Sequence, residues 1–121
     1  MPRVMTIWLP RWPVQRRLLE RPELRRVPVF VCRGERRGVL RIVAWAWAES
    51  PRLPRGRNRA RIPQGMPLAE GMAVLALAHG SRSCHVAVVE HDDPRADRDG
   101  LEAVARWCRR FSPVSYTHLT L

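Results

Sequence analysis

Prolines and glycines divide the first half of this chain into short apolar segments, so each segment can form only a short regular element. Residues 4–9 contain β-branched side chains and are bounded by prolines, which predicts a short buried strand. Residues 27–32 predict a second strand, and residues 39–47 a third strand or a strand-to-helix transition. Residues 33–38 contain two glycines among charges and predict the turn between them.

The first predicted helix lies between two of these prolines. Pro13 suits its first turn, because the fixed φ of proline matches the start of a helix, and Pro22 ends it. Val14, Leu18 and Leu19 recur at helical spacing and predict the buried side, while the charged residues between them face elsewhere.

Three more elements are predicted after residue 65. Residues 66–77 are apolar at helical spacing, and residues 86–89 form a short strand. The last helix begins at Asp92-Asp93-Pro94 with a capping aspartate and a first-turn proline, and it runs to about Phe111. Asp97 near its start and the arginines near its end both suit the helix dipole. Its apolar stripe consists of Leu101, Val104, Cys108 and Phe111.

The order of these elements predicts an α/β fold of the α+β kind, with a short mixed sheet and flanking helices. A length of 121 residues fits one domain with a modest core. No apolar run approaches the length of a membrane-spanning helix, and the amino terminus lacks a signal-peptide cleavage site. We therefore expect a cytoplasmic protein without a membrane partner.

The net charge of +11 is the excess of 22 basic residues over 11 acidic residues, and all of the basic residues are arginine. We interpret the absence of lysine as the codon bias of a GC-rich genome, whereas the net excess of charge favours a polyanionic partner. Residues 50–63 concentrate this charge among three prolines and predict an exposed segment. Two interpretations stay open for it: a solvated insertion, or an arm that contacts the phosphates of DNA through Arg55, Arg57, Arg59 and Arg61.

Cysteines and histidines give only weak signals. Cys32, Cys84 and Cys108 are widely spaced, so neither a disulfide framework nor a zinc ribbon is indicated. His79 and His85 lie near Cys84 in the sequence, but no second ligand pair follows at a suitable spacing, which favours structural roles. No metal or other cofactor is predicted.

Four segments together resemble the start of Y-family (UmuC-like) translesion DNA polymerases. They are residues 21–29, Arg-Pro-Glu-Leu-Arg-Arg-Val-Pro-Val; residues 41–44, which lead to Glu49; residues 65–70, Gly-Met-Pro-Leu-Ala-Glu; and residues 109–114, Arg-Arg-Phe-Ser-Pro-Val. The resemblance covers residues 1–114. It implies palm elements at residues 1–12 and 84–114 and a fingers-like part at residues 13–80. Residues 115–121 do not continue the family pattern, and we expect them to be an unrelated tail of a truncated or chimeric reading frame.

Within this superfamily, Trp8-Leu9-Pro10, Trp12-Pro13, His91-Asp92 and Trp107-Cys108 are most similar to the ImuB-type branch. Members of that branch are regarded as catalytically inactive. The resemblance implies a role in DNA repair and damage-induced mutagenesis, at the nucleoid, as a scaffold on DNA. The implied partners are the sliding clamp, an error-prone C-family polymerase and a RecA-like accessory protein.

The resemblance also implies which catalytic residues are missing. Nucleotidyl transfer needs carboxylates that hold two divalent cations. The two carboxylate positions of the opening strand correspond to Trp8 and Pro10, and the aromatic residue that excludes ribonucleotides corresponds to Pro13. The tyrosine and arginine that hold the triphosphate correspond to Ala48 and Pro51, so no polymerase activity is expected. We expect Trp8, Trp12, Trp45 and Trp47 to fill core more than to stack on bases.

Two departures and two alternatives accompany this interpretation. The chain is longer than the family pattern between Glu49 and Gly65, where the arginines lie, and residues 115–121 do not continue that pattern. The remaining metal carboxylates of the pattern would follow residue 113. The alternatives are an active translesion polymerase with an unusual alignment and a small basic nucleic-acid-binding module.

Overall fold

The computed structural model describes residues 6–50 and 60–111. They form a small α+β domain with a three-stranded mixed sheet and four α-helices, which confirms the predicted fold class. The elements in chain order are α1 (Trp12–Glu20), a short 3₁₀ helix (Pro22–Arg26), β1 (Val29–Gly34), β2 (Leu40–Ala46), α2 (Leu68–His79), α3 (Arg82–Val86), β3 (Val88–His91) and α4 (Pro94–Cys108). None of the helices in this part of the chain is long and apolar enough to cross a membrane.

Strand β1 is the centre of the sheet, whose order is β2-β1-β3. It pairs antiparallel with β2 and parallel with β3. The four residues from Val29 to Cys32 are all buried, because helices cover both faces of the sheet at this strand. An unbroken apolar run is typical of a strand that is covered on both sides.

A β-bulge in β2 determines which of its side chains lie on each face of the sheet. Val31 pairs with Ala44, whereas Cys32 pairs with Ile42, so Val43 is the extra residue. Val43 and Ala44 therefore both pack on one face, and Ile42 turns to the other face beside Cys32.

Two hydrophobic clusters lie on opposite faces of the sheet. The first packs α1 and the 3₁₀ helix against β1 and β2, and its buried residues are Val14, Leu24, Val29, Val31 and Ala46. The second packs α2 and α3 on the other face, and its buried residues are Phe30, Cys32, Ile42, Ile62 and Leu75. A Cβ atom at Gly71 would collide with the Ile42 side chain, which shows how closely α2 approaches the sheet.

Helix α4 begins as the sequence predicts. Asp93 is its N-cap and accepts a hydrogen bond from the backbone N–H of Ala96 at 3.1 Å, and Pro94 is the first helical residue. Helix α1 also follows its proline signals and ends just before Pro22. Both helices are therefore set by local sequence.

A buried ion cluster joins α1 to α4. The Arg16 Nε donates to Asp97 Oδ1 at 2.8 Å, and the Arg17 side chain lies 3.8 Å from the same oxygen. Trp12 Nε1 donates to the Asp97 carbonyl at 2.7 Å. Burial lowers the pKa of Arg16, but the hydrogen bonds and charges of Asp97 and Glu20 outweigh it, so that pKa is raised from its ordinary value. A Cβ at Gly100 would lie 3.0 Å from Trp12 and from Arg16, so the helices cross closely here.

Several predictions about the elements are wrong. Residues 6–9 form no strand, because neither edge of the described sheet pairs with them; residues 4 and 5 lie outside the described part. Leu19 was expected in the core but is 71% exposed, whereas Arg17 was expected outside and is 5% exposed. Helix α3 was not predicted, since its five residues are too few for a periodic pattern.

Two further expectations need correction or stay untested. Ile62, in the segment expected to be exposed, is buried in the second cluster because it packs beneath α2. Phe111, expected in the apolar stripe of α4, is 67% exposed because the helix ends at Cys108 and the next residues form a turn. The predicted boundary at residue 114 and the tail at residues 115–121 lie outside the described residues.

The buried ion cluster makes a prediction for stability. Replacing Asp97 by alanine leaves two largely buried guanidinium groups without their carboxylate, so we expect a loss of about 3 to 5 kcal/mol in the free energy of unfolding. Urea denaturation of the full chain measures this. Asp99→Ala, an exposed site on the same helix, is the matched control and should change stability by less than about 0.5 kcal/mol. Equal losses in both variants would contradict the role of the cluster.

Candidate nucleic-acid interface

The structure anchors both ends of the arginine-rich segment. On the side that follows β2, the backbone N–H of Glu49 donates to the Arg25 carbonyl at 2.8 Å, and the Glu49 carboxylate lies 3.9 Å from the Arg25 side chain. On the other side, Ile62 is buried and Ala60 packs against the second cluster. The described residues on either side are therefore held by this domain, Glu49 by the 3₁₀ helix and Ile62 by the second cluster.

The predicted phosphate-contacting arginines are only partly within the described residues. Arg61 is exposed, directly before the buried Ile62. Its position is therefore fixed from one side by the core while its side chain faces solvent. Arg55, Arg57 and Arg59 lie outside the described residues, so their role stays a prediction.

The positions that resemble a degenerate polymerase site lie on two separate segments. Trp8 and Pro10 are exposed residues of the segment before α1, and Pro13, in the first turn of α1, is half-buried. Ala48 is exposed just after β2. Pro51 lies outside the described residues. The indole of Trp8 offers one N–H donor, and the side chains of the others provide neither a metal ligand nor a donor to phosphate.

The tryptophans do not all fill core as expected. Trp12 is 6% exposed, but Trp8 is 82% exposed, so the prediction for Trp8 is wrong. The difference follows from position, since Trp12 faces α4 from within α1, whereas Trp8 precedes the helix and pairs with no strand. Trp45 and Trp47 are half-buried in the second cluster, as expected of core residues with a polar edge.

Several exposed arginines have a carboxylate partner and are partly neutralised. The ion pairs on the surface are Arg21–Glu90, Arg25–Glu49, Arg33–Asp92 and Arg41–Glu35. Exposed pairs of this kind contribute at most about 1 kcal/mol each to stability. Their main effect is to reduce the positive potential at the surface positions where they lie.

Among the described arginines that form no ion pair, two groups lie close together in sequence. Within the part of the chain that the structure describes, no carboxylate pairs with Arg36 and Arg37 in the turn between β1 and β2, and none pairs with the arginines that end α4. The sequence had indicated the first group as a turn and the second as complements of the helix dipole. Pairing decides which arginines remain available to an anion, and pairing between distant segments is not visible in sequence.

Cysteine and histidine side chains serve the packing of this domain. The His79 ring stacks edge to face on Trp47, with 5.1 Å between the ring centroids. The Cys84 thiol donates to the Met72 carbonyl at 3.0 Å. Burial raises the pKa of the Cys32 thiol, which keeps it in the protonated and unreactive form.

Comparisons of the chain with protein-family models, with curated proteins and with solved structures found no match. The function is therefore inferred from the residues and their arrangement.

The contrast between two tryptophans gives a second prediction. Trp12→Ala should destabilise the domain by about 3 to 5 kcal/mol, because it removes a buried ring and its hydrogen bond to the Asp97 carbonyl. Trp8→Ala should change the free energy of unfolding by less than about 0.5 kcal/mol, since its ring is largely in solvent. Urea unfolding followed by circular dichroism compares them. A large loss with Trp8→Ala would place that ring in a core.

Proposed function

We propose that this chain is a non-catalytic relative of Y-family DNA polymerases that binds DNA and acts as a scaffold in translesion synthesis. Its partners in this role are the sliding clamp, an error-prone C-family polymerase and a RecA-like accessory protein. The setting is DNA repair and damage-induced mutagenesis, at the nucleoid in the cytoplasm. The finer fold assignment belongs to the same proposal: residues 13–80 are fingers-like, and residues 1–12 and 84–114 are palm elements.

One observation bears most of this proposal. At the positions that resemble the metal-binding strand of active polymerases, the chain has Trp8 and Pro10, and both are exposed. A divalent cation at such a site needs carboxylate oxygens at fixed positions. An indole supplies none, and proline offers only its backbone carbonyl. Trp8 and Pro10 therefore differ from the carboxylates of active polymerases in their ability to bind a metal ion. Because both residues are exposed, no packing requirement explains this difference.

The positions that correspond to the triphosphate-holding residues of active polymerases also support a loss of catalysis. Ala48 follows β2 with an exposed methyl group where a hydroxyl donor is expected. The neighbouring Glu49 keeps the acidic residue of the family pattern, but its carboxylate lies beside Arg25. Glu49 can hold the chain in place, and neither Ala48 nor Glu49 has a side chain that donates a hydrogen bond to a phosphate.

DNA binding is supported by the net positive charge of the chain and by the described arginines that have no carboxylate partner. The net charge of +11 gives a field that attracts a polyanion at long range. Phosphate contacts of this kind position a protein on DNA without reading its sequence. A scaffold needs no more than that from its DNA contacts.

A small basic nucleic-acid-binding module is the second candidate function. The observation that favours it is the pair of hydrophobic clusters, which cover both faces of the sheet with residues of this domain alone. Both candidates predict DNA binding. Only the polymerase-like proposal predicts association with the sliding clamp and the C-family polymerase, so co-purification with those two proteins separates them.

The salt dependence of DNA binding tests the proposed interface. We expect the affinity of the full chain for duplex DNA to fall between 50 and 200 mM salt, about 100-fold for four phosphate contacts. Changing Arg55, Arg57, Arg59 and Arg61 to glutamine should remove a salt dependence of about this size. Fluorescence anisotropy measures the affinity of each variant at each salt concentration.

The control variant changes the same net charge at arginines that have carboxylate partners. It replaces Arg21, Arg25, Arg33 and Arg41 with glutamine. Because these charges are already partly neutralised, the salt slope should decrease less than in the first variant. Equal slopes in both variants would mean that total charge, and no particular segment, governs binding.

Primer extension tests the absence of catalysis. With magnesium, deoxynucleoside triphosphates and a primed template, the full chain should add no nucleotide, because the first metal site has no carboxylate. Magnesium-dependent extension that disappears on changing Glu49 to glutamine would instead support the active-polymerase alternative.

A further inference from the structure

The carboxyl end of α4 places an exposed aromatic pair among unpaired arginines. Trp107 and Phe111 are 53% and 67% exposed, and their rings meet edge to face with 5.2 Å between centroids. Arg106, Arg109 and Arg110 are interleaved with them in sequence, and all three are exposed. We call these five residues the α4 platform.

We propose that the α4 platform binds single-stranded nucleic acid, with bases stacked on the two rings and phosphates held by the arginines. The inference rests on the proposed DNA-binding function, but it assigns the binding of single strands to a site distinct from residues 55–61. It also predicts that this site prefers single strands to duplex.

Ring geometry supports stacking on bases. In an edge-to-face pair, one ring directs its edge to its neighbour, so both of its faces stay clear of that neighbour. More than a third of each residue is accessible to solvent, which is enough for a base to reach a ring. Every base has a π-face, so such contact tolerates any sequence.

The positive charge of the α4 platform favours a nucleic acid over a second copy of this chain as its binding partner. A second copy of this chain would bring three more arginines against the first three, and like charges disfavour that contact. The helix dipole accounts for arginines at the end of α4, but it gives no reason for two large rings to remain exposed beside them. Within the described structure, no carboxylate, Glu102 one turn before Arg106 included, lies at ion-pair distance from the arginines of the platform.

The choice of single strands follows from access. In a duplex the bases are stacked on one another, so their faces are closed to the rings of the platform. Bases of a single strand can be splayed apart and stacked on aromatic side chains, while a basic groove or ridge follows the backbone. A scaffold in translesion synthesis meets such strands, since the template beyond a primer end is unpaired.

The test compares three probes with the full chain: an oligothymidylate of about 20 nucleotides, which exceeds the usual site size of one domain; an abasic strand of equal length and charge; and a duplex. Trp107→Leu combined with Phe111→Leu should weaken oligothymidylate binding about ten-fold or more. Its affinity for the abasic strand and for duplex should stay within about two-fold of wild type, since phosphate contacts remain. Fluorescence anisotropy measures all three.

Two matched variants separate stacking from charge and from general damage. Leu77→Ala removes an exposed apolar side chain on α2 and should leave all three affinities unchanged. Changing Arg106, Arg109 and Arg110 to glutamine should weaken oligothymidylate and abasic strand alike, with a salt slope shallower by about 2. Thermal unfolding of the leucine variant should match wild type, because both rings are exposed.

The outcomes decide between the inference and the function on which it rests. The inference is overturned if the leucine variant binds oligothymidylate like wild type, if it weakens the abasic strand equally, or if gel filtration shows that the rings instead hold two copies together. If the leucine variant is unaffected while the glutamine variant at residues 55–61 loses duplex binding, only the inference fails. If the wild-type chain binds none of the probes, the proposed DNA-binding function fails with it.

Discussion

The guanidinium of Arg17 joins three elements of this domain at one point. It donates to the Pro13 carbonyl in α1 and to the His91 carbonyl at the end of β3, each at 2.6 Å. It also lies 3.8 Å from the Asp97 carboxylate in α4. A guanidinium has five N–H donors in a fixed fork, so one side chain can satisfy acceptors on several elements at once. The packing of α1 and α4 beside the sheet depends on this group, because a buried charge without these partners would be strongly destabilising.

Local signals in the sequence predicted much of the fold, and contacts between distant residues explain what was missed. Helix α4 was predictable because Asp93 and Pro94 act within one turn. The burial of Arg17 was not, since its partners at His91 and Asp97 lie more than seventy residues away. Residues 6–9 were predicted as a strand from their composition, but a strand also needs an edge with which to pair.

For the candidate nucleic-acid interface, too, local features could be predicted from the sequence, whereas contacts between distant residues could not. That Arg61 would be exposed followed from the composition of its segment, whereas the burial of its neighbour Ile62 depends on packing beneath α2. Whether an arginine is free to meet a phosphate depends on carboxylates from other elements. Arg33, for example, pairs with Asp92 across fifty-nine positions of sequence. The sequence therefore predicted the sign of the surface and not the places where charge is left unpaired.

The proposed loss of catalysis and the proposed DNA binding support each other electrostatically. Carboxylates in a polymerase site are tolerable beside phosphates because bound cations neutralise them. In a protein that does not hold those cations, the same carboxylates would repel the DNA backbone. Under the proposed assignment, Trp8 and Pro10 are uncharged residues in place of those carboxylates, which removes the repulsion while the arginines remain. A scaffold that keeps its grip on DNA thus has a physical reason to lose the metal ligands themselves, beyond merely ceasing to need them.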